Sequence, residues 1–233
     1  MAEPRIVSLS HLDLSFAPKP WRFALERRAE IDAHFERLQA KNPHLWNGRV
    51  LLMHRHVVDG DVFRGAYLET DYASFLAWRD WDFPDPDMNN CFALGALQSS
   101  DGAFLLGVMS SHTANPGKIY FPGGTPEPAD VSGDKVDLAS SAAREVAEET
   151  GLSPDDLKAE PGWHAVLAGP RIAMMKVMRA ASPADALRAR IRDHFPNDEH
   201  AELSDMRIVR SAADLDPMMP DFMAAYLRFR FAG

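Results

Sequence analysis

The chain has 233 residues, is 46% hydrophobic, and carries 34 acidic against 25 basic side chains, a formal net charge of −9. That length supports a sizeable core, in one large domain or in a domain with an appended lobe. The acidic balance argues against a broad footprint on DNA or RNA, whose phosphates select Lys and Arg. A small polyanion remains open as a ligand when divalent metals bring the positive charge. Cys91 is the only cysteine, so no internal disulfide forms, which suits a reducing cytoplasm. Residues 1–20 mix charge with apolar side chains, so neither a signal peptide nor a membrane span is expected and the default location is cytoplasmic.

No internal repeat or low-complexity tract is visible. Residues 5–16 alternate loosely (Ile6, Leu9, Leu12, Leu14) and predict short strands, ended by Pro18 and Pro20. Residues 21–40 have helical spacing, with Ile31, Phe35 and Leu38 on one stripe. Residues 49–58 and 62–68 flank Asp59-Gly60-Asp61 and predict a hairpin. Thr70 or Asp71 then caps a short helix carrying Phe75, Leu76 and Trp78. The acidic, proline-interrupted stretch 82–87 marks a boundary, with an N-terminal α+β lobe over 1–88 and a second domain over 89–233.

Residues 91–97 and 103–109 predict a strand pair around Ser99-Ser100-Asp101-Gly102, and 163–168 and 172–178 predict further strands. Ser182 is expected to cap a helix with Pro183 in its first turn and Leu187 and Ile191 on its apolar face. Residues 206–209 predict a strand, and Asp216-Pro217 or Pro220 opens a last helix through Phe222, Tyr226 and Phe229. Strands and helices alternate without the rhythm of a doubly wound sheet. The fold class is therefore α+β or mixed α/β, with three layers expected.

The chemistry concentrates in Arg144-Glu145-Val146-Ala147-Glu148-Glu149-Thr150-Gly151-Leu152. On a helix, Glu145, Glu148 and Glu149 stand at i, i+3 and i+4 and share one face. Three like charges repel, and cations binding there would relieve them. Carboxylate oxygens on a rigid element suit hard ions such as Mg²⁺ or Mn²⁺. Arg144 and Glu148, at i and i+4, offset part of that charge. The opposite face (Leu138, Ala139, Ala142, Ala143, Val146) is small enough to pack closely on a sheet, and Gly151 stands where a helix stop belongs. Upstream, Phe121-Pro122-Gly123-Gly124 permits backbone approaches that a side chain would block. A Glu-x-x-Glu-Glu run is most often a solvated face, and Pro-Gly-Gly most often a turn. Their combination is far more specific.

Taken together, residues 121–152 resemble the Nudix box, and residues from about 91 to 233 resemble a Nudix domain. The resemblance implies an α/β/α sandwich around a mixed sheet, with the box as a loop–helix–loop. It also implies divalent-metal-dependent hydrolysis of the pyrophosphate link in a nucleoside diphosphate derivative. By position, Glu145, Glu148 and Glu149 take the metal-binding roles, with Glu145, Glu148 and Arg144 in the catalytic group. Gly123, Gly124 and Glu199 border the substrate. One departure stands out, because Arg144 stands twenty positions after Gly124, six more than in the family. The extra length falls in 129–135, and the family's earlier glutamate, a structural partner of the arginine, lands on Val136. Asp134 or Asp137 is the expected replacement.

The implied mechanism is in-line attack of water on one phosphorus, with metals neutralising the developing charge. The resemblance leaves the base as a box glutamate or a carboxylate on a later loop; carboxylates that hold metal are poor proton acceptors, which favours a separate base in the loop before Met206. Glu202 is preferred there over Glu199. Residues 45–50 and 69–75 are faintly similar to the N-terminal lobe of UDP-sugar-cleaving members, which points to a nucleotide sugar. Gly117-x-x-x-Phe121-Pro122-Gly123-Gly124 fits part of a coenzyme A-cleaving motif but lacks its arginines. Tyr72, Trp78, Trp81 and Phe83 are aromatics that either stack on a base or fill a core. The expected partner is a small nucleotide derivative, with no nucleic acid and no membrane, and a homodimer is left open. A reading of another class is a non-catalytic Nudix-fold sensor. Such sensors lose box carboxylates and add a DNA-binding domain, whereas all three glutamates are present and 220–231 is too short for a winged helix.

Overall fold

The computed structural model describes residues 3–195 and 201–232. The chain begins with β1 (Arg5–Leu9) and β2 (His11–Phe16), then α1 (Arg22–Glu26) and α2 (Arg28–Lys41). Strands β3 (Arg49–Asp59) and β4 (Val62–Asp71) lead into α3 (Tyr72–Asp80). Next come β5 (Asn90–Gln98), β6 (Phe104–Met109) and the two-residue strands β7 (Ile119–Tyr120), β8 (Gly123–Gly124), β9 (Val131–Ser132) and β10 (Lys135–Val136). Helix α4 (Leu138–Thr150) is followed by β11 (Leu157–Ala159), β12 (Trp163–Ala168) and β13 (Arg171–Ala180). Helix α5 (Ala184–His194), β14 (Leu203–Val209) and α6 (Asp221–Ala232) complete the described chain.

Among the described residues, nine strands form a mixed sheet along the path β1-β12-β13-β5-β6-β14, with β11, β7 and β8 attached to β13, β6 and β5. The central pair β13–β5 is parallel, and its neighbours run antiparallel. Alternation along β13 sends Ile172 and Met174 to one face and Ala173 and Met175 to the other. The first face packs under α4 and α5 through Leu138, Ala142, Val146, Leu187 and Ile191. The second packs under α6 through Phe222, Met223, Tyr226 and Leu227. This is an α/β/α sandwich around a mixed sheet, as the sequence leads one to expect.

A second sheet of five strands, in the order β3-β4-β2-β10-β9, carries α1, α2 and α3 on its outer face. Strand β3 shows why it is a two-sided layer. Val50 and Leu52 join Ile31, Phe35 and Trp78 under the helices, while Leu51 and Met53 face the core shared with Cys91, Ala93 and Val146. The boundary expected at residue 88 is crossed twice. Strand β1 pairs with β12 in the large sheet, and the β9–β10 hairpin pairs with β2 in the small one. The Tyr67 hydroxyl, on β4, also donates to the Cys91 carbonyl at 3.1 Å, and both residues are buried.

Three local expectations change. The helical stretch 21–40 breaks at Arg27, which leaves helical geometry at φ −111° and ψ 20° between α1 and α2. Of the two candidate caps for α3, Asp71 does the work, accepting from the Ser74 amide at 2.9 Å. Ser182 does not cap α5; Pro183 takes that place, and the Ala184 amide donates to the Asp101 carboxylate at 3.1 Å.

Candidate active site

Helix α4 is fixed at both ends by its own sequence. The Asp137 carboxylate accepts from the Ala139 and Ser140 amides at 3.0 Å, and Gly151 closes the helix in the left-handed conformation at φ +70°. Its apolar face lies directly on β5. A Cβ on Gly95 would stand 2.3 Å from Val146 Cγ2, so glycine is what lets the helix sit this low.

That seating turns the carboxylates toward β8. Gly123 adopts φ +145°, and a Cβ there would meet the Ala93 carbonyl at 2.2 Å. The strained turn delivers the Gly123 amide to Glu149 Oε1 at 2.9 Å. The other oxygen, Glu149 Oε2, is buried and has no hydrogen-bond partner. Burial, reinforced by the charges of Glu202, Glu145 and Glu148, pushes the Glu149 carboxyl well above its ordinary range. Glu145 stands beside Gly124, whose Cβ, if present, would be 3.4 Å from Glu145 Oε2. Burial raises Glu145 to about 7 against the pull of Arg144. Glu148 differs, being 61% exposed at the rim.

Arg144 links these acids. Its guanidinium lies 2.7 Å from Glu145 and 3.3 Å from Glu148, and donates to the buried carboxylate of Asp130 at 3.0 Å. Asp130 also accepts from the Ser141 hydroxyl at 3.0 Å and the Glu127 amide at 2.9 Å. This corrects the expectation that Asp134 or Asp137 partners the arginine. Asp137 is committed to the helix cap, and Asp134 lies in the turn of the β9–β10 hairpin, where its carbonyl accepts from the Phe16 amide at 2.8 Å. The additional residues before α4 therefore form a short turn that presents Asp130 and a hairpin that clamps the helix entry to the second sheet.

A cleft of about 1280 Å³, lined by residues of both sheets, opens at Gly123 and Gly124, the glycines that lie beside Glu149 and Glu145. Gly123, Gly124 and Glu202 line it on the large-sheet side, with Tyr72, Phe75 and Phe83 opposite. Glu202 precedes β14, where its carbonyl accepts from the Ser110 amide at 2.8 Å, and its charge reaches Glu145, Glu149 and Tyr120. Glu199 lies outside the described residues. Of the aromatics singled out in the sequence, Tyr72 and Phe83 reach the cleft and Trp78 is core. Trp81 instead lies under the Arg27 guanidinium, 4.2 Å from its ring, away from the cleft. His54 and His56 are structural, bonded to the Ala17 carbonyl and stacked on Phe63.

No family model matches this chain, and no curated protein sequence does. Solved structures do match. A Nudix hydrolase from M. smegmatis, RenU, is 21% identical over 60% of this chain and 81% of its own, with a TM-score of 0.39. The MutT protein from Methanosarcina mazei Go1 is 19% identical over 61% of this chain and 92% of its own, with a TM-score of 0.39. The pyrophosphohydrolase BsRppH of Bacillus subtilis is 17% identical over 58% of this chain and 68% of its own, with a TM-score of 0.31.

Two features of this site are not legible in the sequence. Asp130 is hidden in the sequence because counting back along the helix from Arg144 assumes an unbroken spacing, whereas the chain loops out and returns. The nearest signal was Pro128 with an acid two residues on, the pattern of a tight capped turn. Arg171, at the start of β13, lines the cleft without belonging to any recognisable motif.

Proposed function

We propose that this chain hydrolyses the pyrophosphate link of a nucleoside diphosphate derivative, with Mg²⁺ or Mn²⁺ held by the α4 carboxylates. The observation that carries the reading is Glu149. A carboxylate buried on a rigid helix, with one oxygen held by the Gly123 amide and the other unpartnered, is costly unless a cation completes it. Glu145 beside it is likewise raised by burial, and the glycines next to both, Gly123 and Gly124, line the open cleft. Among the described residues no ready-made cluster of three or more His, Cys, Asp or Glu has metal-ligand geometry. Arg144 occupies the Glu145 side and meets Glu148 at the rim. Glu145 and Glu149 would hold the ion, with Glu148 joining as the arginine yields. Held there, a hard divalent cation would supply charge neutralisation for the phosphate oxygens and a more acidic water.

The protein's own groups supply the rest. Glu202 lines the cleft and its charge acts on Glu145 and Glu149, and in this reading it accepts the proton of the attacking water. Asp130 holds Arg144 through a second nitrogen, which limits how fully the guanidinium can commit to the carboxylates. Tyr72 and Phe75 from α3 form the apolar wall that excludes bulk water and takes the remainder of the substrate. The second sheet and its helices are what enlarge this cleft, and they favour a bulky linked moiety such as the sugar of a UDP-sugar. Among the described residues, no helix is long and apolar enough to cross a membrane. The test is product release from nucleoside diphosphate sugars, dinucleotides and coenzyme A with Mg²⁺ or with chelator. Hydrolysis of at least one class, dependent on the cation, is expected. Binding without turnover in every case would instead support a sensor.

A further inference from the structure

We propose that Arg171 is a specificity-determining residue that receives an anionic group of the substrate lying apart from the pyrophosphate link. The proposal deepens the hydrolase reading of the same cleft and rests on it for the position of the pyrophosphate.

Arg171 is an anomaly in an acidic chain. Its Nε is buried and has no hydrogen-bond partner, and no carboxylate pairs with its guanidinium among the described residues. Arg28 and Arg188 also bury a guanidinium nitrogen without a partner, but Arg28 faces Asp32 and Asp71, and Arg188 faces Asp205. A half-buried cation with no counter-charge is unfavourable until an anion arrives. The planar fork of arginine matches a carboxylate or a phosphate.

The surroundings are built to hold this side chain in the cleft. The turn before β13 passes through Gly169 at φ +62° and Pro170, whose carbonyl accepts from the Asn90 amide at 2.8 Å. Arg171 is in register with Asn90 of β5, on the sheet face shared with Ala173 and Met175. The guanidinium carbon lies 5.6 Å from the Phe83 ring centroid. Phe83 is itself held unusually. It and Asp82 are consecutive non-glycine residues in the left-handed region, at φ 58° and 61°. The Phe83 amide donates to the Trp78 carbonyl at 2.9 Å, and its ring meets Trp78 edge-on at 4.8 Å. Backbone strain of this kind persists where the surrounding structure over-determines it, and here it presents the ring to Arg171.

A polar wall joins this corner to the carboxylates. Asn90 accepts from the Thr125 hydroxyl at 3.1 Å, and Thr125 directly follows Gly124. Two strand spacings and three residues of rise separate Arg171 from Gly124, about 14 Å between backbones. A group bound at Arg171 is therefore a different part of the substrate from the one at Glu145 and Glu149. The chemistry it recognises is a carboxylate or a phosphate monoester on the linked moiety or on the nucleoside.

Two matched pairs separate these sources. UDP-glucuronate differs from UDP-glucose by a carboxylate, and coenzyme A differs from dephospho-coenzyme A by a phosphate monoester. For each pair, kcat and KM are measured with Mg²⁺, and binding is measured by calorimetry without metal, for the wild type, Arg171→Gln and Arg171→Lys. On one pair the wild type is expected to favour the anionic member by about tenfold or more in KM. Arg171→Gln removes that preference, leaving the member without the extra anionic group within about twofold in kcat and KM, and Arg171→Lys retains part of it. The responding pair identifies carboxylate or phosphate. An equal loss on both members, or a wild type with no preference on either pair, overturns the proposal. If no member is hydrolysed, the hydrolase reading fails by itself. Calorimetry then still decides Arg171, by whether Arg171→Gln abolishes a preference for the anionic ligand. If Arg171→Gln does not fold, Arg171→Lys carries the same comparison.

Discussion

Replacing Glu145 by Gln should stabilise the metal-free protein, and the amount follows from the site. Burial raises this carboxyl from 4.5 to about 7, while its side chain is only 20% exposed. A group whose folded pKa is raised contributes most favourably below its unfolded value, and that contribution is lost as pH rises through the folded value. Ionising Glu145 in the folded protein at pH 8 therefore costs about 3 kcal/mol relative to the unfolded chain, at about 1.4 kcal/mol per pKa unit. At pH 5 the same cost has shrunk to under about 1 kcal/mol. Glutamine keeps the shape without the charge, so in chelator at pH 8 its Tm should exceed that of wild type by about 6–12 °C, and at pH 5 the two should nearly coincide. Saturating Mg²⁺ should close the gap, since ligand at a hundred times its Kd stabilises the wild type by about 2.7 kcal/mol. Differential scanning calorimetry across pH, with and without Mg²⁺, makes the comparison. A variant no more stable than wild type at pH 8 in chelator, or a gap independent of pH, would refute the reasoning.

Other perturbations follow from the same geometry. Glu149→Gln should lower kcat by about a hundredfold or more in steady-state assays, and Glu148→Gln less at saturating Mg²⁺ because Glu148 starts at the exposed rim. Glu202→Gln should cut kcat at neutral pH, with raised pH partly restoring the rate as hydroxide replaces the base; an unchanged profile from pH 6 to 9 would move the base elsewhere. Asp130→Asn removes the buried charge that holds Arg144, so Tm should fall by the equivalent of about 2 kcal/mol, and the Mg²⁺ concentration for half-maximal rate should rise as the arginine settles on Glu145. Tyr72→Ala should raise KM more than it lowers kcat, whereas Trp81→Ala, packed beneath Arg27, should leave both unchanged.

The parts of this molecule legible in sequence are those specified locally. Helix α4 declares itself through small apolar residues at helical spacing, a run of acids on the other face and Gly151 at its end. The β3–β4 hairpin is equally plain, because alternation and the Asp59-Gly60-Asp61 turn agree. What sequence could not supply is partnership. Alternation makes residues 5–9 a strand, but nothing in them says that they pair with 163–167 across the expected boundary. Strands β7 to β10 have two residues each and exist only through their neighbours. The same limit hid Asp130 and Arg171. One reaches its partner through a loop that folds back, and the other acquires meaning only beside Phe83 and Asn90. At α5, Ser182 has the right chemistry for a cap, yet Asp101, distant in sequence, bonds the amide instead.

The most direct test of the central claim is hydrolysis of nucleoside diphosphate derivatives by wild type and Glu149→Gln, each with Mg²⁺ and with chelator. Turnover by the wild type that requires the cation and falls about a hundredfold or more in the folded variant is the predicted result. Turnover that survives chelation, or a folded Glu149→Gln protein as active as wild type at limiting Mg²⁺, would contradict the assignment of the α4 carboxylates as the metal-binding centre.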